Sequence, residues 1–378
     1  MRTRSIIITI VAALLLFSAA SNAVYAKGQG SLINELTEID SFHPPAADDP
    51  GIMMYNEWHY FNVIDEEQDL SFMTTLRLCG NIYDLYNPLN GTAVVVLSYS
   101  TPGGSNMTVD PYPMLLAEYS NEMPDLRINS STVTLTDEGY HVHVESADRQ
   151  TVFDALFKPF TEPAPLFVAP YEQYGQDRVI NWLVASPKMK VDGTLTIRKG
   201  TELEQTYTLE NTRGYHDHNW GYWLWQDDIG WDWGQASESR NHLDGNDVGK
   251  YAFCFGNVTN NGHNKSRGAV LNIWKNKKII AGFEDGEIQI QHEYMTILPQ
   301  IPILQNNSFP WVTVLTASDG ENSMVISFST EDVTPLPIWI GVNKYLVIWE
   351  MTGTYVVNGC IDGKPVSYTS KGFMEYVA

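Results

Sequence analysis

The densest chemistry in the chain lies in one short block, Gly214-Tyr215-His216-Asp217-His218-Asn219-Trp220-Gly221, followed by Tyr222-Trp223-Leu224-Trp225 and Trp231-Asp232-Trp233. Five of the eleven tryptophans fall between Trp220 and Trp233, too many for ordinary surface strands, which would then expose a large apolar patch. In an extended Tyr215–Gly221 segment successive side chains alternate. His216, His218 and Trp220 then share one face; Tyr215, Asp217 and Asn219 share the other. Three readings stay open. A packed aromatic core would leave Asp217 and Asn219 to satisfy neighbouring backbone groups. A metal site would use the side-by-side imidazoles of His-x-His, but it needs a third ligand such as Asp232, His242 or His263. None of these has a diagnostic spacing, so no metal is expected. A ligand pocket would have aromatic walls and a few convergent polar groups. The other His-x-His pair, His141 and His143, reads as a solvated face.

The elements that must position this block are short alternating runs. Ser71 to Cys79 places Phe72, Thr74, Leu76 and Leu78 on one face, and Gly139 to Glu145 sets Tyr140, Val142 and Val144 opposite His141, His143 and Glu145. Lys188–Arg198, Tyr251–Val258, Ala269–Trp274, Met324–Ser329 and Tyr345–Thr352 have the same character. Period-two patterning punctuated by Gly, Asn and Asp predicts antiparallel sheet. Repeated βαβ alternation and a phosphate-binding glycine loop are both absent, which argues against a doubly wound nucleotide-binding fold. The fold class expected is all-β.

Arg2 and Arg4 precede an apolar run from Ile6 to Phe17, and small residues end at Val24-Tyr25-Ala26. This pattern predicts a signal peptide over 1–26, cut after Ala26, with Ser21-Asn22-Ala23 as a second possible site. The apolar run is short of the roughly 20 residues that span a bilayer. A secreted or cell-envelope protein with no transmembrane segment in its mature chain is therefore expected. The net charge is −22, which disfavours nucleic acid and anionic membrane surfaces as partners. Cys79, Cys254 and Cys360 lie far apart in apolar stretches and read as buried free thiols. Six N-x-[ST] sequons, starting at Asn90, Asn106, Asn129, Asn257, Asn264 and Asn306, suit the surface loops of an exported chain.

Several short motifs, in order, resemble a known family. Glu57-Trp58-His59-Tyr60-Phe61 is similar to its E-W-W-Y-F signature, and Tyr215–Gly221 is similar to its central Y-x-D-H-N-W-G, preceded by Asn181-Trp182, Pro187 and Gly193. Trp231-Asp232-Trp233 resembles the W-x-W that follows, and Gly372–Tyr376 resembles a terminal G-x-x-E stretch. The family is the lipocalin-like group of carotenoid 1,2-hydratases (hydroxyneurosporene synthases, CrtC) and AttH proteins, with fungal pericyclic cyclases as distant members. The resemblance runs from about Asn56 to the C-terminus. It implies two lipocalin-like antiparallel β-barrel domains packed together, over 51–225 and 226–378, after an N-terminal strap over 27–50. It also implies an apolar pocket near the central motif. Position 59 departs from the pattern with histidine for tryptophan, which implies a more polar pocket wall beside Trp58.

Hydratases of this family add water to an isolated isoprenoid double bond with no cofactor. That reaction needs a protonated acid, aromatic faces to shelter a tertiary cation, and a polar group to hold water. An apolar pocket keeps a carboxyl group protonated by disfavouring its charge. By motif position Asp217 is the first candidate acid and Asp232 the second, with His218 orienting the acid or the water. Trp58, Tyr215, Asn219, Trp220, Trp231 and Trp233 are the candidate ligand-binding residues. Because alternation separates Asp217 from His218, the His218 and Trp220 face is expected to reach the pocket, with Asp217 tying the domains together. The function expected is binding of an apolar, isoprenoid- or lipid-like molecule, with cofactor-free hydration or isomerisation of a C=C bond as the reaction the site could support. The alternatives are a non-catalytic carrier and a carbohydrate-active protein.

Overall fold

Period-two sequence becomes period-two burial. In the strand Gly139–Glu145, Tyr140, Val142 and Val144 are buried, His141 is exposed, and His143 and Glu145 are half-buried. Phe72, Thr74, Leu76 and Leu78 are likewise all buried in Leu70–Gly80, and the other expected runs also fall on strands. The computed structural model describes residues 29–238, 250–298, 307–341 and 344–378. The expected leader, His242 and the sequon at Asn306 lie outside the described residues.

The first sheet is built from β1 (Tyr55–Asp65), β2 (Leu70–Gly80), β3 (Gly91–Thr101), β4 (Gly104–Pro113), β5 (Ala117–Tyr119) and β6 (Asp125–Ile128). It continues through β7 (Ser131–Thr136), β8 (Gly139–Glu145), β9 (Val152–Pro159), β10 (Phe167–Gln173), β11 (Gln176–Ile197) and β12 (Gln205–Tyr222). Its order is β4-β3-β2-β1-β12-β11-β9-β8-β7-β6-β5, with β10 beside β11, and it curls into a near-closed antiparallel barrel. The second sheet holds β13 (Gly230–Ser237), β14 (Tyr251–Thr259), β15 (Ser266–Lys275), β16 (Lys278–Glu284) and β17 (Ile288–Ile297). Then come β18 (Ser308–Ser318), β19 (Ser323–Gly341), β20 (Lys344–Ile361) and β21 (Lys364–Val377), in the order β16-β15-β14-β13-β21-β20-β19-β18-β17. The architecture is all-β and two-bodied, and the chain passes from one sheet to the other between Tyr222 and Gly230.

Each sheet has its own core, with Phe61, Phe72, Tyr140 and Phe157 in the first and Phe253, Phe328, Trp349 and Tyr355 in the second. A third cluster lies between them, where Tyr60, Trp182 and Tyr215 meet Trp233, Cys254, Trp274 and Phe373. Polar ties reinforce it. The Arg213 guanidinium on β12 donates to the Ser237 carbonyl (2.7 Å) and the Ser370 hydroxyl (3.1 Å) of the second sheet, and Gln235 Nε2 donates to Asn62 Oδ1 at 3.2 Å. Gly256 on β14 permits a close approach, because a Cβ there would sit 2.7 Å from the Trp182 ring.

Two expectations need correction. The segment expected as a plain strap begins with a helix, α1 (Gln29–Ile39). Ile33, Leu36 and the following Asp40 recur at helical spacing and are all buried, so the segment docks on the first core. The cysteines are free, as expected, but only Cys254 is fully buried; Cys79 and Cys360 are half-buried. No helix among the described residues is long and apolar enough to cross a membrane.

Candidate acid site between the sheets

Strand β12 is extended and paired without a bulge to β1, from Tyr222 opposite Tyr55 to Arg213 opposite Ile64. Strict alternation therefore survives through the central motif, and it settles which side chains go where. Tyr215, Asp217 and Asn219 face the second sheet. His216 and His218 face the interior of the first barrel. This reverses the expectation that the His218 and Trp220 face reaches the pocket.

The cavity between the sheets encloses about 60 Å³ and is partly open on one side. Trp58, Tyr60, Trp182, Asp217 and Asn219 line it from the first sheet, and Trp231, Trp233, Gly256 and Glu375 from the second. Register explains the grouping. Trp58 and Trp182 flank Asn219 on adjacent strands, while Trp233 sits between Gly256 and Glu375. Two rows of one face are thus laid against each other, with the aromatic rings as walls.

Asp217 is 3% exposed. Its Oδ2 accepts from Trp182 Nε1 (2.9 Å) and Tyr215 Oη (2.7 Å), and Tyr215 Oη in turn accepts from Trp233 Nε1 at 3.3 Å. Both donors go to Oδ2, which leaves Oδ1 for the cavity. Burial pushes the Asp217 carboxyl up to about 7, against the opposing pull of those two hydrogen bonds. Glu350 and Glu375 face each other across β20 and β21. Burial raises both, and the Glu375 charge raises Glu350 further. Glu375 accepts from Trp231 Nε1 at 2.8 Å, and Tyr60 Oη donates to Glu350 at 2.7 Å. The arrangement gathers three carboxyl groups whose ionisation burial disfavours, beside an aromatic wall.

The remaining expected residues lie elsewhere. Tyr215 is buried behind Asp217 and positions it. Trp220 stacks on His43, with ring centroids 3.9 Å apart. His218 lies in the first barrel, where Nδ1 donates to Asp40 (3.0 Å) and Nε2 to Glu57 (2.9 Å). Burial alone would lower its pKa, but hydrogen bonds to the two carboxylates outweigh that and raise it to about 9. His218 is thus an imidazolium locked between two acids. Asp232 touches the cavity, but it is held well below the usual carboxylate range: the neighbouring imidazoles of His263 (3.3 Å) and His292 (3.1 Å) outweigh the effect of burial. It stays ionised and cannot serve as the second acid. His59 faces the first barrel as well, so the wall beside Trp58 is not made polar by it; its two nitrogens are buried without hydrogen-bond partners. His141 and His143 share Asp154 at the surface, as a solvated face would.

Sequence reasoning gave no role to Tyr60, Trp182, Gly256, Glu350 or Glu375. The signal for Tyr60 was two-residue spacing from Trp58, and Glu375 stood in the quoted terminal motif. Glu350 had no local signal, since only the β20–β21 register brings it near.

No protein-family model and no curated protein sequence matches the chain. Solved structures do. A protein described as AttH from Nitrosomonas europaea superposes with a TM-score of 0.56 at 16% identity, over 86% of this chain and 92% of that one. Kievitone hydratase from Nectria haematococca gives 0.55 at 13% identity, over 90% and 93%. CghA, in a structure with Sch210972, gives 0.50 at 9% identity, over 89% and 94%. The fold is therefore the lipocalin-like one that the motifs implied. At these identities the likeness is one of fold, and function has to be argued from the site.

Proposed function

We propose that the inter-sheet cavity takes the unsaturated end of an apolar, isoprenoid- or lipid-like molecule and uses Asp217 as the acid for cofactor-free hydration or isomerisation of its C=C bond. The observation that carries this is the Asp217 carboxyl, raised to about 7 by burial and set in the wall of an aromatic cavity, with the Trp182 and Tyr215 donors both on Oδ2. The Oδ1 proton goes to the less substituted alkene carbon, and the tertiary cation that forms is sheltered by the faces of Trp58, Trp231 and Trp233. In hydration, a water held by Asn219 attacks the cation and its proton returns to the Asp217 carboxylate. In isomerisation, that carboxylate instead removes a proton from the neighbouring carbon. Both routes regenerate the acid and balance without another reactant. A ligand longer than the cavity extends through its open side.

The test combines binding and turnover. A polyene or isoprenoid alcohol should quench tryptophan emission saturably, whereas simple sugars should not. Asp217→Asn keeps the size of the side chain and an acceptor for Trp182 and Tyr215, so it should still bind while losing turnover by about a hundredfold or more. Saturable binding without turnover in the parent protein would make it a carrier, and turnover undiminished in the variant would remove Asp217 from the acid role. The same reading places the protein outside the cytoplasm, supported by the leader-like first 26 residues. Terminal sequencing of the exported protein should begin at Lys27 or Val24, and an intact Met1 would count against export.

A further inference from the structure

Strands β13 and β17 and the β14–β15 loop bring together three side chains that sequence spacing left far apart: Asp232, His263 and His292. One oxygen or nitrogen from each lies within 4.8 Å of the others. His263 Nδ1 is 3.3 Å from Asp232 Oδ2, and His292 Nε2 is 3.1 Å from Asp232 Oδ1. Asp232 is 1% exposed, and a cleft of about 210 Å³, bordered also by Thr259, Ile288 and Ile290, opens beside the three.

Two features distinguish this cluster from an ordinary buried ion pair. The first is the tautomer. His263 Nε2 donates to the Val377 carbonyl at 2.7 Å, so a neutral ring carries its lone pair on Nδ1, aimed at a carboxylate. His292 Nδ1 meets the Thr313 hydroxyl at 3.3 Å, which leaves Nε2 facing Asp232. Outer hydrogen bonds of this kind orient metal-ligating imidazoles. The second is an unused acceptor. Asp232 Oδ2 accepts from Asn257 Nδ2 at 3.1 Å, whereas Oδ1 is buried with no hydrogen-bond partner although His292 Nε2 lies 3.1 Å away. The backbone contributes too. His263 adopts φ +48°, a left-handed conformation that a non-glycine residue rarely takes, and its ring is stacked on Tyr376 at 4.1 Å.

We propose that Asp232, His263 and His292 bind one first-row divalent metal ion, with its remaining coordination positions open to the cleft. Two imidazoles and one carboxylate suit zinc and its first-row neighbours. The ion would fasten edge strand β17 and the β14–β15 loop to β13 and the C-terminal strand. It would also set a Lewis acid in the cleft beside His263 and His292, with Asp232 shared between that cleft and the wall of the Asp217 cavity. The metal site weighed in the sequence joined His216 and His218 to a third ligand; the proposed one leaves that pair aside and joins two of the candidate third ligands, Asp232 and His263, to His292.

The experiment uses the mature protein stripped with a chelator and titrated with cobalt(II), whose visible d–d absorption reports inner-sphere ligands, followed by competition with zinc(II). One saturable equivalent is expected. His263→Ala and His292→Ala should weaken it by about a hundredfold or more, and Thr313→Val, which leaves all three ligands in place, by about ten- to a hundredfold. His59→Leu, which alters the separate Asp40–His59–His216 cluster of the first barrel, should leave it unchanged. Circular dichroism of the metal-free variants checks folding, and if a histidine variant fails to fold, Thr313→Val carries the test. Absence of a one-equivalent signal would mean that the cluster holds protons only. A signal lost in His59→Leu but kept in Thr313→Val and His292→Ala would place the ion in the other barrel. Either result overturns the proposal.

Discussion

Asp217 is the residue on which function and stability pull in different directions. Its carboxyl is raised from 3.8 to about 7 by burial, so below pH 4 it is protonated whether the chain is folded or not. As pH rises from about 4 to 7 the unfolded chain releases this proton while the folded protein retains it, and stability falls across that window. Above about 7 the folded protein carries the buried charge, and activity that needs the acid declines. Asp217→Asn imitates the protonated carboxyl at every pH. We therefore expect the variant to melt close to the parent at pH 4 and above it at pH 8, with the crossover read from melting temperatures across a pH series. A variant equally displaced at all pH values would show that the carboxyl is not raised. Turnover in the parent should fall as pH rises through about 7. Asp232, the second candidate acid, fails for the opposite reason: two neighbouring histidines keep it ionised.

At the scale of elements, the N-terminal segment behaves as a plug. After α1, Asp40 enters the first barrel and accepts from Tyr140 Oη (2.5 Å), His216 Nε2 (2.9 Å) and His218 Nδ1 (3.0 Å). Removing one partner of such a buried network leaves uncompensated charge, so Asp40→Ala should cost about 3–5 kcal/mol by urea unfolding. The sign with pH follows from His218, whose folded value of about 9 lies above 6.5. Its stabilisation is complete below about 6.5 and is lost as pH rises through 9. Asp40→Asn, in which His218 keeps only Glu57 as a charged partner, should show a shallower loss over that range; an identical slope would sink the plug. This element also marks what the sequence could and could not show. The strands were legible because each prints its own burial as alternation, as in Tyr140-x-Val142-x-Val144. The central motif was legible as a site because its composition is unusual. Which face served the cavity was not legible, since alternation separates Asp217 from His218 without saying which neighbour lies beyond. The partners Asp40, Glu350 and His292 stand far away in sequence, and only sheet register and the docked segment bring them close.

For the whole molecule, the cavity and the junction between the sheets are the same object, so coupling of the two bodies is a condition of the site. Tyr60 reaches from β1 to Glu350 on β20, Arg213 bridges to β13 and β21, and Trp182 lies against the bare backbone of Gly256. Apolar burial at such a junction contributes roughly 25 cal/mol per Å². With buried polar ties added, the halves should unfold together. We expect one calorimetric transition, coincident by tryptophan emission, which reports mainly the junction, and by far-ultraviolet dichroism, which reports both sheets. Gly256→Ala tests the link directly. A methyl group there would meet the Trp182 ring at 2.7 Å, and the sheets must part slightly to admit it, at about 1–3 kcal/mol. That single substitution should lower the one transition without splitting it, and it should weaken saturable quenching by an isoprenoid alcohol because it intrudes on the cavity wall. Two resolved transitions in the parent would mean that the sheets are independent bodies, and a cavity shared between independent bodies could not hold Asp217 fixed against its substrate.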